Sequence, residues 1–399
     1  MGDTFKHALS AVTEALNSPP SPDNIEMETV VQLLGSMDKL RVMLEPPNLA
    51  IIKLCTAPYA LSCIRVAQGM GIFNAFFHAD DPKEMTLNDL NAKTKGDKEL
   101  LSRIMRHLNA CDIFTQVDSD RYRPSALALQ LADDSPVGAC VKHFYLNMRA
   151  TSFLNEYFEE RGYVNPSDAY DAPFQYAHGT KEHFFSWLSH HPADQEAFNS
   201  VMTMNRQVGE SEWFEIFPVE ERLQVSTDRT LIVDIGGGVG HDMLTFNQKF
   251  PHLPGKLVVQ DIPSVIGDIK SPLPEGIDAM TYDMFDPQPV KGAKAYYLRT
   301  VLHDWPDKQA LEALARIREA MAEDSILLLN EFSIPESDVS RISAAIDQDM
   351  MEAFSSLDRT EPQWISLLER GGFEVVKVWR FEFNATMGKA LYEAVPRGV

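Results

Sequence analysis

The feature that most constrains the fold is a regular alternation of strand-like and helix-like segments in the second half of the chain. Beyond residue 230, apolar runs of strand length are separated by stretches with helical spacing, near 240–250, 307–321, 341–356 and 361–371. Such alternation predicts a parallel sheet covered by helices on both faces. Ligands bind beyond the carboxyl ends of the strands in such sheets, so residues at those ends are candidates for a site. The strand-like runs are TLIVDIGGG, GKLVVQDIP, AKAYYLRTVLHDW, SILLLNEF and FEVVKVWRF.

The first half of the chain is predicted to be mostly helical. Residues 1–17 have the pattern of a short amphipathic helix, which the segment NSPPSPDN ends, and a second helix is predicted over roughly 24–44. From 50 to about 135 the pattern predicts helices followed by a β-hairpin, with Thr86 as an N-cap, which is the order of a winged helix. Residues 140–230 are predicted to be helical and aromatic-rich, which suits either a core or the wall of a pocket for a flat apolar ligand.

The charge balance argues against two classes of partner. The 399-residue chain has a formal net charge of −22 at pH 7, which repels nucleic-acid phosphates and anionic membrane surfaces. A transcription factor built on the predicted winged helix is therefore disfavoured, and a salt-dependent DNA shift would be needed to revive it. We expect no nucleic acid and no membrane as partners, since no uninterrupted apolar run approaches the ~20 residues of a membrane span.

The cysteines and the first residues indicate a cytoplasmic protein. The four cysteines have neither CxxC spacing nor a histidine partner at zinc spacing, which favours small buried side chains in a reducing compartment, and no metal site is expected. The opening MGDTFKHALS has no signal-peptide core, and Lys6 stands where a myristoylation signal needs Ser or Thr. We therefore expect a cytoplasmic location.

A glycine-rich turn follows the first strand-like run. The segment VDIGGGVGHDM lets the backbone approach a ligand closely, but His241 breaks the dinucleotide fingerprint and no Gly-Lys-Ser/Thr follows as in a phosphate loop. The pattern therefore suggests a nucleoside ligand without a pyrophosphate. Asp234 would repel phosphates but attract an ammonium or a sulfonium ion, and S-adenosylmethionine has both.

Further strand ends are acidic as well. Asp261 follows the glycine turn by about 20 residues, the separation at which a strand-end carboxylate reaches ribose hydroxyls in nucleotide-binding folds. Asp283 is placed to accept a hydrogen bond from an adenine amino group, and Met284 to pack on the adenine ring. One acidic strand end is weak evidence because Asp is common in loops. Three in succession favour a nucleoside site.

Five longer segments carry a family resemblance: LIVDIGGGVGHD, FPHLPGKLVVQDIPSVI, YDMFDPQPVKGAKAYYLRTVLHDWPD, LLLNEFSIP and DRTEPQWISLLERGGFEVVKVW. On these segments the chain resembles, from roughly 198 to 395, the cation-independent S-adenosylmethionine-dependent O-methyltransferases of the caffeic acid and flavonoid type, especially fungal members from secondary metabolism. The resemblance implies an α/β fold, with a Rossmann-like class I methyltransferase domain and an N-terminal, mostly helical, winged-helix-like dimerisation domain. It implies a helical extension (1–45), a dimerisation and substrate-lid region (46–197), a catalytic domain (198–399) and a homodimer.

The resemblance also implies a set of site residues. The family holds its cofactor, S-adenosyl-L-methionine, with the glycine loop, acidic residues and a basic residue before the catalytic histidine. In addition to Asp234, the corresponding residues here are Gly236, Gly237, Gly238, Asp261, Asp283, Met284 and Arg299. The catalytic base corresponds to His303. The two acidic residues that flank the imidazole in the family correspond to Glu331 and Asp358, the second of which is often Glu in the family.

The segment LRTVLHDWPDKQ places this histidine at the mouth of a predicted helix. Pro306 suits the first helical position and Asp304 is predicted to cap the helix, but His303 stands before the cap, at a strand end on the ligand edge. There the imidazole could remove a proton from a phenol that attacks the sulfonium methyl group. Its ordinary pKa of about 6.5 predicts the free base at neutral pH.

Two enzyme hypotheses follow. The first is a homodimeric O-methyltransferase of a phenolic or enolic small molecule, aromatic or polyketide-like. The second keeps the fold and the cofactor but uses the sulfonium charge to polarise a substrate for dehydration, decarboxylation or a pericyclic step, as in some fungal relatives of the family. The presence of His303, Glu331 and Asp358 favours methylation. Three residues suit either the acceptor pocket or the core: Met350, Met351 and Phe354.

Overall fold

The first part of the chain is helical. The structure, a computed structural model, describes residues 2–17, 27–78, 84–133, 135–207, 211–381 and 388–398. Contacts divide the chain into two compact units, residues 1–60 and 61–399. Helices α1 (Gly2–Asn17) and α2 (Met27–Leu44) confirm the two N-terminal helices, and α3 (Pro47–Met70) begins where two prolines end α2. The predicted linker falls at 18–26, outside the described residues.

Helices α2 and α3 expose many large apolar side chains. Among the described residues, α3 is the one helix that could cross a membrane by length and composition alone, with a mean hydropathy of 1.5 and none of its apolar stretch buried. Its sequence is not an uninterrupted apolar run, since Lys53 and Arg65 interrupt it, but a helix that is apolar on average tolerates such charges. The exposed side chains are Leu33, Leu34, Met37, Leu40, Val42, Met43, Leu44, Leu49, Ile51, Ile52, Leu54 and Tyr59.

A small sheet is interleaved with three helices, since its first strand lies between the first and second of them. The helices are α4 (Ile72–Phe77), α5 (Leu87–Lys93) and α6 (Lys98–Ala110), and α7 (Ala126–Gln130) comes after the sheet. The strands are β1 (Met85–Thr86), β2 (Phe114–Gln116) and β3 (Arg121–Pro124), paired antiparallel in the order β1–β3–β2. The predicted order of helices and hairpin is confirmed. Thr86 caps α5 with a capping box that includes Asp89, as its position predicts.

The aromatic-rich segment forms a helical layer. Its helices are α8 (Pro136–Ser152), α9 (Leu154–Glu160), α10 (Pro173–His178), α11 (Phe184–Ser189), α12 (Pro192–Gln207), α13 (Trp213–Ile216) and α14 (Val219–Arg222). Phe174 and Phe184 are fully buried in a cluster that also contains Phe354 from the C-terminal half. The predicted helices are confirmed, and much of the aromatic surface belongs to a core.

The described C-terminal half has a seven-stranded sheet in the order β6–β5–β4–β7–β8–β10–β9. The strands are β4 (Thr230–Ile235), β5 (Lys256–Asp261), β6 (Ile277–Thr281), β7 (Ala295–Arg299), β8 (Ile326–Ser333), β9 (Phe373–Arg380) and β10 (Gly388–Pro396). The helices are α15 (His241–Lys249), α16 (Pro263–Ile266), α17 (Asp307–Arg318), α18 (Arg341–Phe354) and α19 (Glu361–Arg370).

The sheet is mixed rather than parallel throughout. Strands β4 to β8 pair in parallel, as the alternation predicts. Strand β10, which the sequence did not predict, pairs antiparallel with both β8 and β9. Its register places Ala390 opposite Glu331 of β8.

Helices cover both faces of the sheet. Along β7, Tyr296 and Leu298 pack into the core formed with α17 and α19, while Ala295 and Tyr297 pack into the core formed with α13 and α15. The architecture is a helical N-terminal region followed by a Rossmann-like core. Because both faces are buried, the carboxyl ends of the parallel strands are left for chemistry.

Candidate active site

The glycine loop between β4 and α15 forms a cradle over a buried acid. The backbone N–H groups of Gly236 and Gly237 donate to the carbonyl of Gln260, at 2.8 and 3.1 Å. A Cβ at Gly237 would lie 2.5 Å from Oδ2 of Asp234, which is 2% exposed. Glycine at this position therefore keeps the space above the carboxylate open.

The same loop touches the turn that bears the candidate base. A Cβ at Gly236 would lie 2.7 Å from Cγ2 of Val301, and Gly236 has a φ of +70°, which glycine adopts readily. Val301 precedes His303 by two residues. The glycine loop and the histidine turn are therefore neighbours at one edge of the sheet.

The predicted acidic residues lie at this edge on three adjacent strands. Asp261 ends β5, and its Oδ2 accepts a hydrogen bond from the N–H of Gly238 at 2.8 Å. Burial raises the pKa of Asp261 above its usual range. Asp283 and Met284 follow β6; Asp283 is exposed, and Met284 packs partly buried against the core. The strand order β6–β5–β4 brings Asp283 and Asp261 onto the same edge as Asp234.

Arg299 at the end of β7 is engaged by a buried acid. Its Nη1 lies 2.8 Å from Oδ1 of Asp242 in the first turn of α15. The hydroxyl of Tyr297 donates to the other oxygen of Asp242 at 2.8 Å, and Asn330 donates to that hydroxyl at 2.9 Å. The guanidinium is thus fixed beside the helix that the glycine loop opens. Sequence reasoning did not identify Asp242.

His303 lies between carboxylates. It belongs to a short 3-10 turn, Leu302–Asp304, between β7 and α17. Its Nδ1 lies 3.6 Å from Oδ1 of Asp358, whose side chain is 0% exposed. Its Nε2 lies 3.4 Å from Oδ1 of Asp304. Each ring nitrogen therefore faces a carboxylate, one predicted and one not.

The structure contradicts the prediction that Asp304 caps the following helix. Helix α17 begins at Asp307, and the N-cap residue, Pro306, makes no side-chain cap. The 3-10 turn ends at Asp304, three residues before the helix, so its carboxylate faces the imidazole instead.

These charges set the protonation of the ring. Burial alone lowers the pKa of His303, but the carboxylates of Asp304, Asp358 and Glu331 together raise it to about 10. The prediction of a free base at neutral pH is therefore wrong for the protein without ligands. Burial raises the pKa of Glu331 to about 7 and that of Asp304 to about 6. The carboxylates thus favour the protonated form of the imidazole, while burial favours the neutral form of the acids.

Glu331 binds the backbone of the histidine turn. It is fully buried in β8, and its Oε1 accepts hydrogen bonds from the N–H groups of Val301 at 3.0 Å and Leu302 at 2.8 Å. These bonds fix the two residues before His303. Glu331 therefore orients the ring through the main chain.

A loop after α18 holds the turn from another side. Arg359, which is 1% exposed, donates to the carbonyls of Leu302 and Trp305 at 3.0 and 2.9 Å. The hydroxyl of Ser356 donates to the carbonyl of His303. Sequence reasoning missed both residues, since no local pattern marks a side chain that binds the carbonyls of a segment some fifty residues away.

Helix α18 contributes mainly to the core. Phe354 is 3% exposed, Met350 packs against the same aromatic cluster, and Met351 is half-buried. The side chain of Asn147 on α8 donates to Asp349 of this helix at 2.7 Å. Of the two uses predicted for this helix, packing is the one that the contacts of Phe354 and Met350 support.

The arrangement suits a nucleoside bearing a cation, next to a group that can hold a proton. A buried acid lies under an open glycine cradle, and a histidine turn borders it. Among the described residues, no group of three or more His, Cys, Asp or Glu side chains could hold a metal ion.

Known proteins are similar to this chain in sequence and in fold. A family model of the O-methyltransferase domain matches residues 162–374. Demethylsterigmatocystin 6-O-methyltransferase of Aspergillus flavus is 33% identical over 348 residues, which cover 87% of this chain and 88% of that protein. The structure of LepI in complex with SAM has a TM-score of 0.83 and 26% identity, with 100% of both chains covered. A structure described as a pericyclic reaction enzyme has a TM-score of 0.81, 26% identity and the same coverage.

Proposed function

Because the chain belongs to the O-methyltransferase family and is an S-adenosylmethionine-dependent enzyme, we propose that it methylates a phenolic or enolic hydroxyl of a small secondary metabolite, with His303 as the general base. The observation that supports this most is the contact between the glycine loop and the turn that bears His303. This contact supports a nucleoside site next to a proton acceptor.

The cofactor residues act by charge and by shape. When bound, S-adenosyl-L-methionine supplies the methyl group from its sulfonium ion. Asp234 would attract the positive charges of the cofactor across the space that Gly237 keeps open. Asp261 would bind the ribose hydroxyls, since each of its carboxylate oxygens can accept more than one hydrogen bond. Asp283 would accept from the adenine amino group, and Met284 would pack against the ring.

The histidine turn removes the hydroxyl proton. His303 accepts it at Nε2, while Asp358, facing Nδ1, orients the ring and stabilises the imidazolium that forms. Glu331 keeps the turn in place through its two backbone hydrogen bonds. A raised pKa makes the neutral ring a stronger base but a scarcer one at neutral pH, so the rate depends on the fraction of neutral His303.

A reaction without methyl transfer is the second candidate, supported by the similarity to a pericyclic reaction enzyme. Under it, the cofactor charge would polarise the substrate and persist through turnover. The carboxylates around His303 favour methylation, because they serve proton removal. The two candidates differ in stoichiometry: methylation releases one S-adenosylhomocysteine per product, and the alternative releases none.

We propose a homodimer formed through the N-terminal helices. The large apolar side chains exposed on α2 and α3 form a surface of the kind that marks a protein interface. A net charge of −22 disfavours an anionic membrane as the other way to cover α3. The winged-helix-like use of residues 46–197, the catalytic domain at 198–399 and a cytoplasmic location belong to the same proposal.

The deciding experiment replaces the base. His303→Ala should lower transfer of a labelled methyl group at least about 100-fold, since general-base catalysis contributes that much, while the calorimetric affinity for the cofactor stays unchanged. The acceptors would be a panel of phenolic polyketides and alkaloids, with products identified by mass spectrometry. His252→Ala, at an exposed histidine, is the matched control. Retained transfer in His303→Ala would refute the assignment.

A further inference from the structure

A second histidine is buried against the turn that bears the base. His183 precedes α11 and is 6% exposed. Its ring stacks on that of Trp305, with 4.4 Å between centroids and 5° between planes. The rings of Tyr170 and Phe354 lie 5.6 and 5.9 Å away. His183 is therefore part of an aromatic wall that continues from the catalytic turn.

The hydrogen bonds of His183 fix its tautomer. Its Nδ1 accepts a hydrogen bond from the backbone N–H of Phe185 at 3.4 Å and so caps α11. Burial lowers the pKa of His183 to about 4, which keeps the ring neutral at physiological pH. The ring hydrogen is then on Nε2.

This Nε2–H has no hydrogen-bond partner among the described residues. Leaving a buried donor unsatisfied is costly, so a group that completes it stabilises the bound state. Because Nδ1 faces the backbone of α11, Nε2 is on the opposite edge of the ring. The structure thus presents a buried N–H donor among the aromatic rings of Trp305, Tyr170 and Phe354.

Two residues of this aromatic wall are close in sequence to residues of the histidine turn or to residues that hold it. Trp305 follows His303 by two residues, and Arg359 holds its carbonyl. Phe354 precedes Ser356, which donates to the carbonyl of His303. A molecule that binds against the aromatic wall would therefore lie close to the imidazole of His303.

We propose that the Nε2–H of His183 donates a hydrogen bond to a carbonyl or ether oxygen of the acceptor and thereby selects which hydroxyl reaches His303. The inference rests on the proposed function, since it concerns the acceptor of that reaction. His183 is a specificity-determining residue in this role. It does not act as a second base, because the free nitrogen carries the hydrogen.

Variants can separate the donor from the cap and the stack. His183→Asn keeps a capping oxygen and loses the Nε2 donor, while His183→Phe keeps the stacked ring and loses both cap and donor. His183→Gln returns a donor near the Nε2 position. If His183 acted by packing alone, the loss of acceptor affinity would follow the number of contacts that each variant loses. Under the proposed role, His183→Asn and His183→Phe lose affinity alike, and His183→Gln retains more.

The test measures acceptor binding to the complex of the enzyme with S-adenosylhomocysteine. The probes are a hydroxyaryl ketone and the same phenol with the carbonyl replaced by methylene. Calorimetry should show that wild type prefers the ketone, and that His183→Asn and His183→Phe lose about five- to tenfold of ketone affinity with the phenol unchanged. His183→Gln should recover part of it.

Two outcomes would overturn the inference: no preference of wild type for the ketone, or an equal loss for both probes in every variant. The result is independent of turnover. If the ketone binds through His183 but no methyl group is transferred to it by wild type, the proposed reaction fails while the contact stands.

Discussion

His303 lies among carboxylates that favour its protonated form, and its protonation state governs how the rate should depend on pH. The base works only when neutral, and the carboxylates that raise its pKa to about 10 favour the protonated form. Activity should therefore rise with pH up to the pKa of the ring and fall as pH decreases below it. The dependence is a property of the cluster, since burial alone lowers the pKa.

Removing one carboxylate should shift the rise of activity to lower pH. Asp358→Asn takes away a negative charge 3.6 Å from Nδ1, so the pKa of His303 should fall and the kcat/KM profile should shift by about one to two pH units to lower pH. The maximal rate should also decrease, because the ring loses its orienting partner. Asp349→Asn, at a mostly buried acid that faces Asn147, is the control. An unshifted profile would contradict the assigned contact.

The glycine cradle gives a second prediction for a single residue. Gly237→Ala would place its Cβ 2.5 Å from Oδ2 of Asp234 and 3.0 Å from Val259. The carboxylate must then move or be covered, and cofactor affinity should fall about tenfold or more in calorimetry. Gly69→Ala, where a Cβ meets nothing within 4 Å, serves as control. Unchanged affinity would place the cofactor away from this cradle.

Asp261 gives a third prediction for a single residue, again on cofactor binding. Asp261→Ala should weaken cofactor binding by at least the value of one hydrogen bond to a charged group, about 1.5–3 kcal/mol or ten- to a hundredfold. Because Asp261 also accepts from the loop at Gly238, Asp261→Asn should retain more affinity than Ala. Equal affinity of wild type and Asp261→Ala would argue against the ribose contact.

At the scale of elements, the histidine turn is a single 3-10 turn that neighbouring elements hold in place. Strand β8 supplies Glu331 below it, and the loop between α18 and α19 supplies Ser356, Asp358 and Arg359 around it. The turn is thus fixed by its neighbours, and its geometry depends on both contributing elements.

Arg359 is the strongest of these supports. Arg359→Met leaves the carbonyls of Leu302 and Trp305 without their donor, so the free energy of unfolding should fall by about 3 kcal/mol and kcat should fall with it. Arg359 also binds Asp307, at 2.8 Å. Arg370 binds the other oxygen of that carboxylate but is 47% exposed. Arg370→Met should therefore cost below about 1 kcal/mol in the same denaturant titration. Equal losses would deny the special role of Arg359.

An element could be predicted where its own local sequence determines it, and could not where contacts with distant residues do. Strands β4, β5, β7 and β8 were predictable because each is an apolar run with turn residues at its ends. Strand β6 is not such a run, since its sequence IDAMT is mostly exposed. Strand β10 was not predictable, because Lys389 and Glu393 interrupt its pattern, and Glu393 is buried against Arg222 and Trp379 from elsewhere in the chain. The same reason explains why Arg359 escaped notice while His303, at a strand end, did not.

For the whole molecule, the apolar surface of the N-terminal helices sets the expected assembly. Replacing both Ile51 and Ile52, which are 59% and 57% exposed, by Glu should convert a dimer into a monomer in sedimentation velocity. Asn48→Glu adds a charge at an exposed polar position of the same helix and should leave the dimer intact. A wild-type protein that sediments as a monomer at micromolar concentration would refute the assembly.

Strand β10 lies between β8 and β9, which are both translated before it. During synthesis, β8 and β9 therefore cannot complete their pairing until residues 388–396 have emerged from the ribosome. During that interval the edge of β8 beside Glu331 is bare, the kind of surface that chaperones cover. A protein truncated before β10 would therefore leave β8 without its partner beside Glu331, the residue that orients the histidine turn, even though its glycine loop is complete.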